Sequence, residues 1–172
     1  MKTETTLSRP VRIVVIGAGN RAHKYLEYAR RNPEQLRLAA IVEVNDLRRR
    51  AMADAFGLPD KYCYAHYDDF FAERLDADMV LISTPENAHF DPAVKAIDAG
   101  YHVLLEKPIA QRLDECREIA RRARQRGVLV GVCHVLRYHP YFAKIRELVA
   151  SGRLGHVVSV NHTASVGLDR AT

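Results

Sequence analysis

From Val11 onward, short runs of consecutive apolar residues alternate with stretches in which apolar positions recur at helical spacing. "VRIVVI" is followed by "NRAHKYLEYARR", "LRLAAIVEV" by "DLRRRAMADAFG", and the order strand, helix, strand, helix is the signature of a parallel α/β sheet. A short extended piece near "YCYA" and a brief helix near "DDFFAERL" precede the strand "DMVLIST" and the helix "HFDPAVKAIDAG". The strand "YHVLLE" follows. Then comes a helix with Leu113, Cys116, Ile119 and Ala123 on one side, and the strand "VLVGVCH". Gly57, Gly100 and Gly127 stand where helices would end in a left-handed residue. The pattern predicts six strands in one doubly wound parallel sheet.

Beyond the sixth strand, "PYFAKIRELVASG" predicts a further helix with Tyr141, Ile145, Leu148 and Val149 on one face, and "HVVSVNHTASV" reads as a strand. That strand finds no partner in the preceding sequence, so its free edge is expected either to be disordered or to pair with a second copy in a homodimer. The expected organisation is a mobile tail over residues 1–10, a dinucleotide-binding domain over 11–139, and a connecting helix with the first strand of an incomplete, truncated α+β domain over 140–172.

Composition adds limits. The 172 residues are 48% hydrophobic and 27% charged, an ordinary globular balance. No stretch approaches the length of a membrane span, and the polar start is no signal peptide. Cys63, Cys116 and Cys133 are odd in number and unrelated in spacing, which points to a reducing, cytoplasmic setting without a disulfide framework or a metal site. The net charge of +5 comes mostly from arginines set around apolar helical stripes. Without aromatic interleaving they read as solvated faces, not as a nucleic-acid surface.

The first strand runs into "GAGNRA", a G-x-G-x-x-A turn opening a helix. Gly17 serves the tight turn, Gly19 the close approach of a pyrophosphate, and Ala22 the packing of helix on sheet. Asn20 and Arg21 begin the helix whose free N–H groups would face the phosphates. The bland alternative is a strand-to-helix turn that binds nothing. Glu43, 21 residues beyond Ala22 at the end of the second strand, is placed to accept hydrogen bonds from both ribose hydroxyls. Such a carboxylate repels a 2′-phosphate, so NAD is favoured over NADP, with Arg48 and Arg49 the cations within reach of that phosphate. "LLEKPIA" is the other unusual stretch, because Glu106, Lys107 and Pro108 emerge where a buried strand ends.

With "GAGNRA", "STPENAH" and "LLEKP" on successive strand ends, the chain from about Val11 to Val166 resembles the Gfo/Idh/MocA family of nicotinamide-dependent oxidoreductases. The resemblance implies a Rossmann fold and places Thr84 and Pro85 beside the pyrophosphate and nicotinamide ribose. It places Glu106, Lys107 and Pro108 beside the nicotinamide and substrate, with Lys107 polarising the substrate oxygen and Glu106 orienting the ammonium or the ribose. Lys107–Pro108 is expected to be a cis peptide. His89 is read evenly as a cofactor neighbour or as a structural cap, and Tyr25, Tyr28 and Tyr138 as packing. His134 and Arg137 are read as structural.

The resemblance also implies a second, mostly antiparallel domain supplying a D-x-x-x-H motif with the general acid/base histidine. This sequence is expected to hold no counterpart of it and so to lack a complete catalytic set. The expected function is the NAD-binding half of an oxidoreductase acting on a sugar, cyclitol or related polyhydroxylated small molecule. A non-catalytic dinucleotide-binding or sensing module is the alternative. An S-adenosylmethionine methyltransferase shares the glycine turn but has no use for Glu-Lys-Pro.

Overall fold

The computed structural model describes residues 8–163. Six parallel strands, β1 (Val11–Ile16), β2 (Leu36–Val42), β3 (Cys63–Tyr64), β4 (Met79–Ile82), β5 (His102–Leu105) and β6 (Val130–Val132), form one sheet in the order β3-β2-β1-β4-β5-β6. Five helices connect them: α1 (Asn20–Arg31), α2 (Asp46–Phe56), α3 (Tyr67–Glu73), α4 (Phe90–Asp98) and α5 (Leu113–Arg126). The expected doubly wound sheet is the one observed.

Side chains alternate across each strand, so β1 sends Ile13 and Val15 to one face and Val14 and Ile16 to the other. The first pair packs with Ala22 and Leu26 of α1 and Met52 of α2. The second packs with Phe70 of α3, Ile97 of α4 and Ile119 of α5. Each fully buried side chain of this size contributes about 1.5–3 kcal/mol on removal from water. Two opposed cores therefore clamp the sheet.

Helix ends follow the local rules. Asn45 caps α2 by accepting a hydrogen bond from the Arg48 N–H, and Gly57 and Gly127 close α2 and α5 in left-handed conformations at φ 60° and 68°. Leu113 is 65% exposed because it opens α5 before that helix reaches the core, so only Ile119 and Ala123 of the expected stripe are fully buried. Tyr28 and Tyr138 are not packing residues either, at 50% and 86% exposure.

The chain divides into two compact units, Met1–Cys133 and His134–Thr172. The division comes earlier than the expected one after residue 139. Its physical cause is the Cys133 N–H, which donates to the Leu105 carbonyl at 2.9 Å in the last backbone bond to the sheet. At the other end, Arg9 is held by a two-pronged pair with Asp78 at 2.6 and 2.7 Å, so the expected mobile tail does not extend to residue 9. Residues 1–7 lie outside the described ones.

In the second unit a 3-10 turn over Val135–Tyr138 leads into α6 (Pro140–Ala150), with proline at its first position. The expected face is present, but Tyr141, Ile145 and Val149 are exposed. Residues 156–163 form no strand. They are exposed along their length. The remainder of the expected strand lies outside the described residues.

Candidate functional site

In this strand order the connections leaving β1 and β4 run to opposite faces of the sheet, which opens a crevice at their carboxyl ends. The turn after β1 carries Gly17 and Gly19, and the turn after β4 carries Ser83, Thr84 and Pro85. Gly17 has φ +92°, and a Cβ there would meet the backbone of Ser83 and Thr84 at 2.9 Å. Only glycine lets these two turns touch. The Ser83 hydroxyl fastens them, donating to the Gly17 carbonyl at 2.7 Å.

Gly19 differs. A Cβ on Gly19 would meet nothing within 4 Å, so this glycine leaves room on the side where α1 begins. No side chain caps α1, and its first turn holds no acidic residue. The N–H groups of Asn20, Arg21 and Ala22 are thus free for an anion, as a pyrophosphate requires. A cleft of about 460 Å³ opens here, lined among others by Gly17, Gly19, Glu43, Arg48, Thr84 and Pro85.

Glu43 is 8% exposed and borders this cleft. Its Oε2 accepts from the Ala18 N–H at 2.7 Å and its Oε1 from the Asn45 N–H at 2.9 Å. The carboxylate ties the glycine turn to the entrance of α2, and only the remaining lone pairs face the cleft. That structural duty was not anticipated from the sequence. Arg49 is occupied, donating to the Glu43 carbonyl and pairing with Asp46.

At the end of β5, Glu106 is 5% exposed while Lys107 and Pro108 are exposed. The Lys107–Pro108 bond is cis, as expected. The Glu106 carboxylate does not orient the Lys107 ammonium. Its Oε1 accepts from Arg21 Nε at 2.9 Å and from the Tyr25 hydroxyl at 2.5 Å, and its Oε2 accepts from the Lys107 backbone N–H at 3.1 Å. Among the described residues the Lys107 ammonium has no ion-pair partner. Burial pushes the Glu106 carboxyl up, but hydrogen bonds from Tyr25 and Arg21 outweigh it and hold the group below its ordinary value.

His89 is 1% exposed. Its Nδ1 lies 2.7 Å from the Pro108 carbonyl oxygen and its Nε2 3.0 Å from that of Thr84. The ring therefore braces the turn after β4 against the turn after β5. Tyr25, read from the sequence as packing, is instead part of the Glu106 cluster. Spacing gave no sign of this, because the partners lie 81 residues apart.

Contrary to expectation, one string does satisfy D-x-x-x-H, Asp98 to His102. It spans the end of α4 and the start of β5, at the amino edge of the sheet and away from the crevice. Asp98 pairs with Arg122 and Arg126, and His102 Nδ1 accepts from the Leu129 N–H. Those contacts are structural. Among the described residues no His, Cys, Asp and Glu cluster could hold a metal ion, and no helix is long and apolar enough to cross a membrane.

Comparison with known proteins agrees with this geometry. Residues 11–134 match the family model described as an oxidoreductase family with an NAD-binding Rossmann fold. An uncharacterised oxidoreductase of Rhizobium meliloti is 33% identical over 87% of this chain and 44% of its own. The D-xylose 1-dehydrogenase (NADP(+)) 2 of Haloferax volcanii is 36% identical over 76% of this chain and 39% of its own. An inositol dehydrogenase homologue from Azotobacter vinelandii, solved with NADH and myo-inositol, superposes with a TM-score of 0.75 at 25% identity, covering 88% of this chain and 42% of that one. The chain spans less than half the length of each of these relatives. With its glycine turn, its Thr84–Pro85 turn and its Glu106–Lys107–Pro108 turn on the carboxyl ends of β1, β4 and β5, the chain belongs to the Gfo/Idh/MocA family of oxidoreductases and carries that family's NAD-binding Rossmann domain.

Proposed function

We propose that the chain binds NAD(H) across the crevice and serves hydride transfer between the nicotinamide and a sugar, cyclitol or related polyhydroxylated compound. The observation that carries this is the convergence of the anion-ready start of α1, the cleft beside Glu43 and the unpaired Lys107 ammonium on one edge of the sheet. The residues fit the cofactor. Gly19 leaves the space a pyrophosphate fills, and the N–H groups of Asn20 and Arg21 face it. Glu43 meets the ribose hydroxyls with its free lone pairs and disfavours a phosphate there. Arg48 is the cation on the cleft wall that would receive such a phosphate.

Thr84, Pro85 and Pro108 line the path toward the nicotinamide, with His89 behind them as a brace. When bound, the dinucleotide accepts or supplies the hydride. Lys107 donates a hydrogen bond to the substrate oxygen, polarising a carbonyl or holding an alcohol. No residue here is assigned the proton transfer. A polyhydroxylated substrate is supported by the names of two relatives, a D-xylose dehydrogenase and an inositol dehydrogenase homologue.

Titration with NADH and NADPH, followed by nicotinamide fluorescence, tests the reading. NADH should bind more tightly than NADPH. Gly19→Val, whose Cβ enters open space where a pyrophosphate would lie, should abolish binding and leave the unfolding midpoint in place. Lys107→Met should keep NADH affinity, since its ammonium serves the substrate. Tight NADH binding by the Gly19→Val variant would remove the dinucleotide from this cleft.

A further inference from the structure

The cluster around Glu106 is more elaborate than anchoring one turn requires. It joins three elements: α1 contributes Arg21 and Tyr25, the end of β5 contributes Glu106, and the end of β6 brings Cys133 beside the Tyr25 hydroxyl. Arg21 donates twice, from Nε to Glu106 at 2.9 Å and from Nη2 to the Tyr25 oxygen at 3.0 Å. Tyr25 passes the interaction on, its own hydroxyl proton reaching the same Glu106 oxygen at 2.5 Å. The three groups form a closed triangle in which each bond polarises the next. Phenylalanine would fill the same volume and break two of its sides.

The triangle bears on one carboxylate oxygen, and the other oxygen holds the Lys107 N–H. Fixing Glu106 therefore fixes the point at which the backbone leaves β5 and presents Lys107 to the crevice. Arg21 is half exposed and free to shed its bond to water, whereas Glu106 is nearly closed off. The tyrosine hydroxyl is the partly shielded member that holds the carboxylate in one orientation. Burial, then Cys133 and then Glu106, pushes its pKa well above the ordinary value for tyrosine, so it remains a donor throughout the working range.

We propose that Tyr25 is a positioning residue for the nicotinamide end of the site, acting through Glu106 to set the Glu106–Lys107 turn that receives it. This rests on the reading that the nicotinamide lies at that turn. It makes a prediction that a merely structural tether between α1 and β5 does not. Loss of the hydroxyl should affect ligands that carry nicotinamide and spare those that end at the second ribose.

The experiment compares NADH and ADP-ribose binding by the full chain and by Tyr25→Phe, Glu106→Gln and the double variant, with unfolding midpoints alongside. Tyr25→Phe should weaken NADH about tenfold, the scale of one hydrogen bond to a charged group, and leave ADP-ribose within about twofold. The double variant should bind NADH no more weakly than Glu106→Gln alone, because both changes act on one interaction. Equal losses for both ligands, or additive losses in the double variant, would overturn the proposal. Should Tyr25→Phe fail to fold, Tyr25→Met reports instead, since it also lacks the hydroxyl and the same comparison of NADH with ADP-ribose applies. If the native chain binds NADH no better than ADP-ribose, the reading of the turn as the nicotinamide site falls and this proposal falls with it. If the native preference is present but survives Tyr25→Phe, only the role of Tyr25 is refuted.

Discussion

Glu43 shows how one side chain serves both the fold and the site. The sequence assigns its carboxylate only to the ribose hydroxyls. In the structure both carboxylate oxygens also hold backbone donors, from Ala18 and Asn45, so its removal should cost stability as well. Glu43→Gln must turn its amide NH₂ toward one of these N–H groups, which leaves a nearly buried donor unpaired at a cost of about 1–3 kcal/mol. Urea unfolding should show that loss, and an unchanged midpoint would mean that the carboxylate does not hold the turn. Local spacing makes Gly17 and Gly19 legible, since they stand between an apolar run and a helical period, whereas Thr84 and Lys107 stand out only through the family resemblance. Tyr25 was not legible, because a tyrosine at helical spacing looks the same whether its hydroxyl meets water or a carboxylate 81 residues away.

Elements are joined at both edges of the sheet, and the two edges differ in kind. At the carboxyl edge, His89 spans the turns after β4 and β5, and the turn after β4 lines the cleft. At the amino edge, Asp78 accepts from Arg9 and from the Arg12 N–H at 2.7 Å, locking the start of β1 beside β4. Strand order and helix order were readable from periodicity, but this lock was not, since it depends on which strands become neighbours. Asp78 titrates at about 2. The Arg9 guanidinium lowers it most, burial opposes, and the Arg12 N–H adds to the lowering. A depressed carboxyl contributes stability that is complete above its unfolded value of 3.8 and is lost as pH falls through about 2. Asp78→Asn should therefore cost about 1–2 kcal/mol at neutral pH, a figure kept low because Arg9 is more than half exposed. Denaturation midpoints of the two proteins should converge toward about pH 2. A gap that persists undiminished at that pH would show that the contribution does not come from the ionised carboxylate.

For the whole molecule, the contrast between the two units decides where a bound cofactor will be felt. Met1–Cys133 encloses two cores clamping the sheet, whereas among the described residues from 134 to 163 none is fully buried. Sequence periodicity gave α6 a clear apolar face, but periodicity says nothing of whether that face is covered, and here it is open. Backbone amides are protected from exchange in proportion to the free energy of the opening that exposes them, so regions without a core of their own exchange through small openings. A ligand that binds only the folded crevice adds about 2.7 kcal/mol at a hundredfold excess over its dissociation constant, and adds it only to openings that destroy the site. Hydrogen exchange with and without saturating NADH should thus show the amides of β1, the start of α1, β4 and β5 slowed by the ligand. Those of α6 after Pro140 should exchange fast in both states. Protection of α6 that rises in step with the sheet would mean that the second unit opens only when the crevice does, and would overturn the assignment of the cofactor response to the first unit alone.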